Sequence, residues 1–126
     1  LRTYCQYKNV FECENYLLYI KNFKLRQCLT KFRISDHVLE IDKGRHKNIA
    51  PENRLCLYCN SGAVEDEKHF LLDCNGYNLI RTQFFSDTNM DLDTTNFNNI
   101  MSHKDIEFHL AKCIQNMFKH RNSIMT

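Results

Sequence analysis

Apolar residues in this chain recur at three- and four-residue intervals, the period of a helix, and no segment keeps the alternation of a half-buried strand. Leu18, Leu25, Leu29 and Phe32 follow one another at seven, four and three residues, which predicts a helix over residues 14–33 with one apolar face. Lys21, Lys24 and Lys31 fall along one edge of that stripe, Arg26 and Arg33 along the other. Ser35 is placed to cap a second helix over Asp36 to Lys43, and Gly44 to end it in the left-handed conformation. Residues 45–54 read as a basic loop around Pro51, and Leu55 to Val64 as a tight turn or small hairpin ending in Asn60-Ser61-Gly62. Glu65, Asp66 and Glu67 suit the positive end of a short helix that carries His69 to about Leu72. Tyr77, Ile80 and Phe84 predict a further helix reaching Phe85, after which residues 86–101 form a polar loop rich in Asn, Asp and Thr. Ser102 to Asp105 has the form of a capping box for a final helix over 102–122, with Ile106, Leu110, Cys113 and Met117 on its apolar face. The expected fold is mainly α: a small helical domain over residues 1–126, without internal repeats, whose metal-binding core spans 54–85.

Composition agrees with one core, since 43% of the 126 residues are hydrophobic. No stretch approaches the roughly 20 apolar residues of a membrane span, and the first residues lack a secretory signal pattern. A soluble, intracellular protein of the nucleus or cytoplasm is expected, with no membrane partner. The chain opens on Leu1 and its first Met is Met90, which points to a piece of a longer polypeptide. The net charge of +2 does not by itself imply a polyanionic partner, but its distribution is uneven. Residues 21–54 hold nine Lys or Arg against four Asp or Glu, whereas residues 55–74 hold one against four.

Candidate chemistry concentrates in Cys56-x2-Cys59-x9-His69-x4-Cys74. Two thiolates separated by two residues approach one ion from a single turn, and a second pair from a following segment completes the tetrahedron preferred by zinc. One structural Zn2+ is expected on these four residues. On a continuous α-helix, residues five apart point about 140° away from each other, so His69 and Cys74 converge only if the helix ends between them. The remaining cysteines, Cys5, Cys13, Cys28 and Cys113, have no such partners and are expected in the core, in a reducing compartment. A closed four-ligand site leaves no position for water. There is no glycine-rich phosphate loop or Gly-x-Ser-x-Gly elbow, and the Asp36-His37, Asn53, His69 set lacks the second Cys-x2-Cys pair of a His-Asn-His nuclease. No catalytic residue and no small-molecule substrate are therefore expected. His37 reads as a residue at a helix start making a local hydrogen bond. Lys31, Arg33, Lys43, Arg45, Lys47 and Arg54 lie close in sequence to the clasp and form the candidate nucleic-acid-binding set. Tyr58, Phe70 and Tyr77 offer rings for stacking bases or, for the last two, for the core.

Four segments carry a family resemblance: Lys-Phe-Arg-Ile-Ser-Asp-His-x-Leu-Glu-Ile-x-Lys-Gly-Arg at 31–45, Arg-Leu-Cys-x-x-Cys at 54–59, Val-Glu-Asp-Glu-x-His-Phe-Leu-Leu-x-Cys at 64–74, and Tyr-x-x-x-Arg at 77–81. Together they resemble the zinc-binding carboxy-terminal region of reverse transcriptases from non-LTR (LINE-type) retrotransposons. The resemblance implies a domain following a polymerase and contacting template RNA or target DNA, with the zinc ligands on Cys56, Cys59, His69 and Cys74. The polymerase does not carry over, because the chain has no Asp-Asp catalytic motif. Asn75 stands where many relatives have proline, and the nine-residue gap before His69 is longer than that of retroviral zinc knuckles. The competing expectation is a structural or protein-interaction module packing on neighbouring domains of a longer polypeptide, or on a host factor, through the final helix.

Overall fold

The computed structural model describes residues 3–8, 14 and 16–125. Its helices in chain order are α1 (Tyr4–Tyr7), α2 (Tyr16–Tyr19), α3 (Phe23–Arg33), α4 (Glu40–His46), α5 (Asn78–Thr88), α6 (Phe97–Ser102) and α7 (Glu107–Met125). Between α4 and α5 lie a 3-10 turn at Pro51–Asn53, a widened π-type turn at His69–Asp73 and a 3-10 turn at Asn75–Tyr77. Among the described residues the only β pairing is one antiparallel bridge between Leu55 and Val64. The fold is thus mainly helical with a short turn at the first cysteine pair, as the periodicity predicts. No helix among the described residues is long and apolar enough to cross a membrane.

The core forms where α3 lies along α7. Leu25, Leu29 and Phe32 on α3 and Leu110, Ala111, Ile114 and Met117 on α7 are all buried in it, each large side chain contributing about 1.5–3 kcal/mol. Tyr19, just ahead of α3, places its hydroxyl 2.8 Å from the Lys104 carbonyl and 3.0 Å from Glu107 at the start of α7. Phe32 near the end of α3 meets Phe118 near the end of α7, ring centroids 6.4 Å apart. The two helices therefore run parallel. Arg33, at the close of α3, is buried under the rings of Tyr4, Tyr7 and Tyr16 and donates to the Met101 carbonyl at 2.7 Å, tying α6 to the core.

Several boundaries differ from the sequence reading, each for a local reason. The helix predicted over 14–33 is interrupted: Asn22 accepts the Leu25 N–H at 3.2 Å and starts α3 afresh. Tyr16 and Ile20 take the buried places ahead of that cap, and Leu18 is 75% exposed instead of facing the core. Cys13 and residue 15 lie outside the described residues. Ser35 does not cap the second helix. It adopts φ 63° after α3, and the helix starts at Glu40, whose N–H is accepted at 2.7 Å by the side chain of Glu65. Gly44 sits inside α4 and its left-handed role falls to Asn48. What requires glycine there is proximity, since a Cβ would come within 2.6 Å of Arg54 Cγ. The polar loop predicted over 86–101 is shortened from both sides. α5 continues to Thr88, and Asn96 caps α6 by accepting the Asn99 N–H at 2.8 Å. Ser102 donates back to the Asn98 carbonyl, so His103 supplies the cap of the turn leading into α7.

Candidate metal centre

Two short segments bring the donors together. The first turn is closed by Cys56 N–H donating to the Ala63 carbonyl at 2.8 Å and Glu65 N–H to the Arg54 carbonyl at 3.0 Å. Asn60 (φ 53°) and Gly62 (φ 81°) make the left-handed steps that reverse the chain so tightly. Cys56 is thereby buried and Cys59 half-buried at the tip. The second segment starts where Asp66 Oδ1 accepts the His69 N–H at 2.8 Å. It then widens: Cys74 N–H donates to the His69 carbonyl at 2.7 Å, the i to i+5 bond of a π turn, and Cys74 turns extended (φ −68°, ψ 121°). The wider turn followed by a backbone reversal is how residues five apart come to face one point.

The four ligand atoms lie within 4.8 Å of one another. Cys56 Sγ is 3.9 Å from Cys74 Sγ, and Cys59 Sγ is 3.4 Å from His69 Nε2. A cluster of three thiols and an imidazole this tight could hold one metal ion. Its thiols are unlike. The Ser61 hydroxyl, 3.1 Å away, lowers the Cys59 thiol to about 6, while burial raises Cys56 and pushes Cys74 up to about 12.

A layer of side chains around this cluster holds it in place. Buried Arg81 spans the end of the π turn, donating to the carbonyls of Leu71 (2.7 Å), Cys74 (2.8 Å) and Phe70 (3.3 Å). It is the Arg of the Tyr-x-x-x-Arg segment, and its spacing of four from Tyr77 and three from Phe84 puts it on the apolar face of α5, the signal that marks it as internal. Phe70, next to His69, is fully buried between Tyr77 and Phe118, ring centroids 4.9 and 4.7 Å away. Tyr58, between the first two cysteines, packs edge-on against Tyr77 and shares a 2.9 Å hydrogen bond with His120 of α7. Glu65 takes a two-pronged hydrogen bond from buried Arg121, at 2.9 and 2.8 Å, while its backbone carbonyl and side chain hold the first N–H groups of α4. His37 makes the local bond expected of it, accepting the Leu39 N–H at Nδ1, and also pairs through Nε2 with buried Glu67 at 2.5 Å. Consequently Phe70 and Tyr77 are core residues with no face for a base, and Tyr58 is largely engaged. Cys113 is buried as expected and Cys28 half-buried, but Cys5 is exposed, outside the predicted core.

The six basic residues singled out near the clasp separate into two groups. Arg33 is buried as described above, and half-buried Arg54 donates to the Ile49 and Ile41 carbonyls at 2.9 and 2.7 Å, so the guanidinium of each is engaged with the fold. Lys31, Lys43, Arg45 and Lys47 are exposed. Lys43 and Arg45 stand 4.0 and 3.5 Å from Glu40 and Asp42 of their own helix, a solvent-screened arrangement worth little to stability.

No protein-family model, curated protein or solved structure matches this chain. The arrangement of its own residues therefore carries the functional argument.

Proposed function

We propose that this chain is a zinc-stabilised, non-catalytic module that binds the phosphate backbone of RNA or DNA, as its resemblance to the carboxy-terminal region of LINE-type reverse transcriptases implies. The observation that carries the reading is the convergence of Cys56, Cys59, His69 and Cys74. A tetrahedron with Zn–S of about 2.3 Å and Zn–N of about 2.0 Å has edges of roughly 3.8 Å between sulfurs and roughly 3.5 Å between sulfur and nitrogen. The 3.9 and 3.4 Å separations fit those edges. Bound zinc would crosslink the Cys56–Cys59 turn to the π turn, and with four protein donors it offers no open position to water, which favours a structural role. The clasp also fixes α4, because Glu65 holds the start of that helix and Arg54 its interior. Lys43, Arg45 and Lys47 are thus presented on a rigid support, where neutralised phosphates release counterions and affinity falls with salt.

Native mass spectrometry of the purified chain tests the first half, with one zinc per chain expected and none in Cys59→Ser or Cys74→Ser. A folded parent that takes up no zinc would overturn it. The second half is tested by filter binding of labelled RNA and duplex DNA across a salt series, with K43E/R45E/K47E weakening both. A second reading, docking on another protein, is favoured by one feature: Leu79 is 89% exposed beside a groove of about 560 Å³ between α5 and α7, lined by Ile80, Phe84 and Phe108. An apolar interface there would persist at salt concentrations that dissolve phosphate contacts.

A further inference from the structure

A second set of basic residues stands on helices other than α4. α3 and α7 run parallel in contact, and each carries two lysines seven residues apart: Lys24 and Lys31 on α3, Lys112 and Lys119 on α7. Residues seven apart lie on one helical stripe about 10.5 Å apart, and packed helices lie about 8–10 Å from each other. Lys31 and Lys119 both exert their charge on Cys28, so the two rows flank the same seam. All four lysines are exposed, and none forms an ion pair with a described residue. The neighbouring positions Gln27 and Gln115 are neutral. Acids close to the rows are exposed Asp36 after Lys31, exposed Asp105 before α7, Glu107, which is buried against Tyr19, and exposed Asp87 of α5, which lines one groove with Lys112 and Phe108.

The fold does not account for these charges. α3 has no acidic residue in its first turn and instead begins Phe23-Lys24-Leu25-Arg26, placing cations where the helix dipole disfavours them. Two exposed rings stand at the starts of the same two helices, each with a cation over it. Phe23 is 63% exposed with the Arg26 guanidinium 5.9 Å from its centroid, and Phe108 is 42% exposed with Lys112 Nζ at 5.5 Å. Lysines in rows with partly exposed aromatic rings on the same helices match a polyanion that also offers flat unpaired groups to stack. An anionic membrane supplies the charge without those planar groups, and a duplex keeps its bases stacked inside.

We propose that the α3–α7 face, with Lys24, Lys31, Lys112 and Lys119 for the phosphates and Phe23 and Phe108 for the bases, binds single-stranded nucleic acid. This rests on the nucleic-acid reading above but places single-strand contact on helices other than α4. With four phosphates neutralised, the slope of log K against log salt carries about −2.8 from this face, or roughly 50-fold in affinity between 50 and 200 mM salt.

The test is filter binding of the zinc-loaded full chain to a labelled single-stranded oligoribonucleotide and to a duplex, with parent, K24Q/K31Q/K112Q/K119Q, F23A/F108A and K43E/R45E/K47E. Circular dichroism confirms that each variant is folded, as expected for exposed positions. The lysine variant should bind the single strand at least tenfold more weakly at 100 mM salt, with its slope reduced by about 3. The ring variant should lose affinity for the single strand while keeping it for the duplex. A lysine variant that binds like the parent overturns the assignment of this face while leaving the α4 reading standing. A parent that binds no nucleic acid even at low salt overturns both. Binding only to vesicles of phosphatidylcholine and phosphatidylserine, abolished in the lysine variant, would replace nucleic acid with a membrane surface.

Discussion

Replacing Arg81 with methionine keeps most of the side-chain volume and removes the side-chain hydrogen bonds that Arg81 makes around the end of the π turn. The guanidinium donates to the carbonyls of Leu71, Cys74 and Phe70 and to Asn78 Oδ1. Hydrogen bonds to a charged group contribute about 1.5–3 kcal/mol each, and breaking a buried charged network costs about 3–5 kcal/mol. Part of this returns, because burial disfavours the charged guanidinium, as the lowering of its pKa by desolvation indicates. A net loss of about 3 kcal/mol follows. With an unfolding entropy of about 2.1 cal/mol/K per residue over 126 residues, that loss lowers Tm by about 11 °C. The same bonds position His69 and Cys74, so metal affinity should fall about 10- to 100-fold, as for other groups that orient ligands without touching the ion. Calorimetric melting of loaded and chelator-treated protein, together with zinc competition against a chromophoric chelator, reads both quantities. Arg81→Lys, which retains the charge but not the fork, should lie between parent and methionine. A methionine variant melting within about 3 °C of the parent and holding zinc equally well would refute the view that Arg81 positions the clasp.

Zinc binding near pH 7.5 should release about two protons, since Cys59, lowered to about 6, is already thiolate while Cys56 and Cys74 are raised. Affinity therefore rises with pH, and its slope steepens toward three protons below about pH 6, where Cys59 must also ionise. Calorimetry in buffers of differing ionisation enthalpy counts the protons, and a release of three at pH 7.5 would contradict the assignment. Gly76→Ala should destabilise by about 1–3 kcal/mol, because its Cβ would land within the Tyr58 ring and push that ring off Tyr77 and His120. Urea unfolding measures it, and a neutral effect would show that the ring yields freely. Glu65→Gln leaves Arg121 with only the Glu40 carboxylate, 3.8 Å away, and should cost about 1.5–3 kcal/mol, whereas the exposed Asp73→Asn should change unfolding by less than about 0.5 kcal/mol.

The sequence by itself determined the helical class, the approximate places of α3, α5 and α7, and the four candidate ligands. Those features depend on residues near one another in the chain: apolar spacing decides which face of a helix is buried, and a Cys-x2-Cys turn is a local geometry. Tertiary structure decided what depends on distant partners. α4 starts at Glu40 because Glu65 caps it from 25 residues away. Arg33 and Arg54, indistinguishable in sequence from surface cations, are internal because the carbonyls of Met101 and Ile41 happen to lie within reach. His69 and Cys74 share a site because the helix between them widens and breaks where Arg81 can gather its last carbonyls. The α3–α7 rows of lysine exist only once two helices far apart in sequence lie side by side. A hydrogen bond or a charge repeats nothing along the chain, so a single sequence holds no periodic trace of it, whereas burial of apolar surface repeats with every turn.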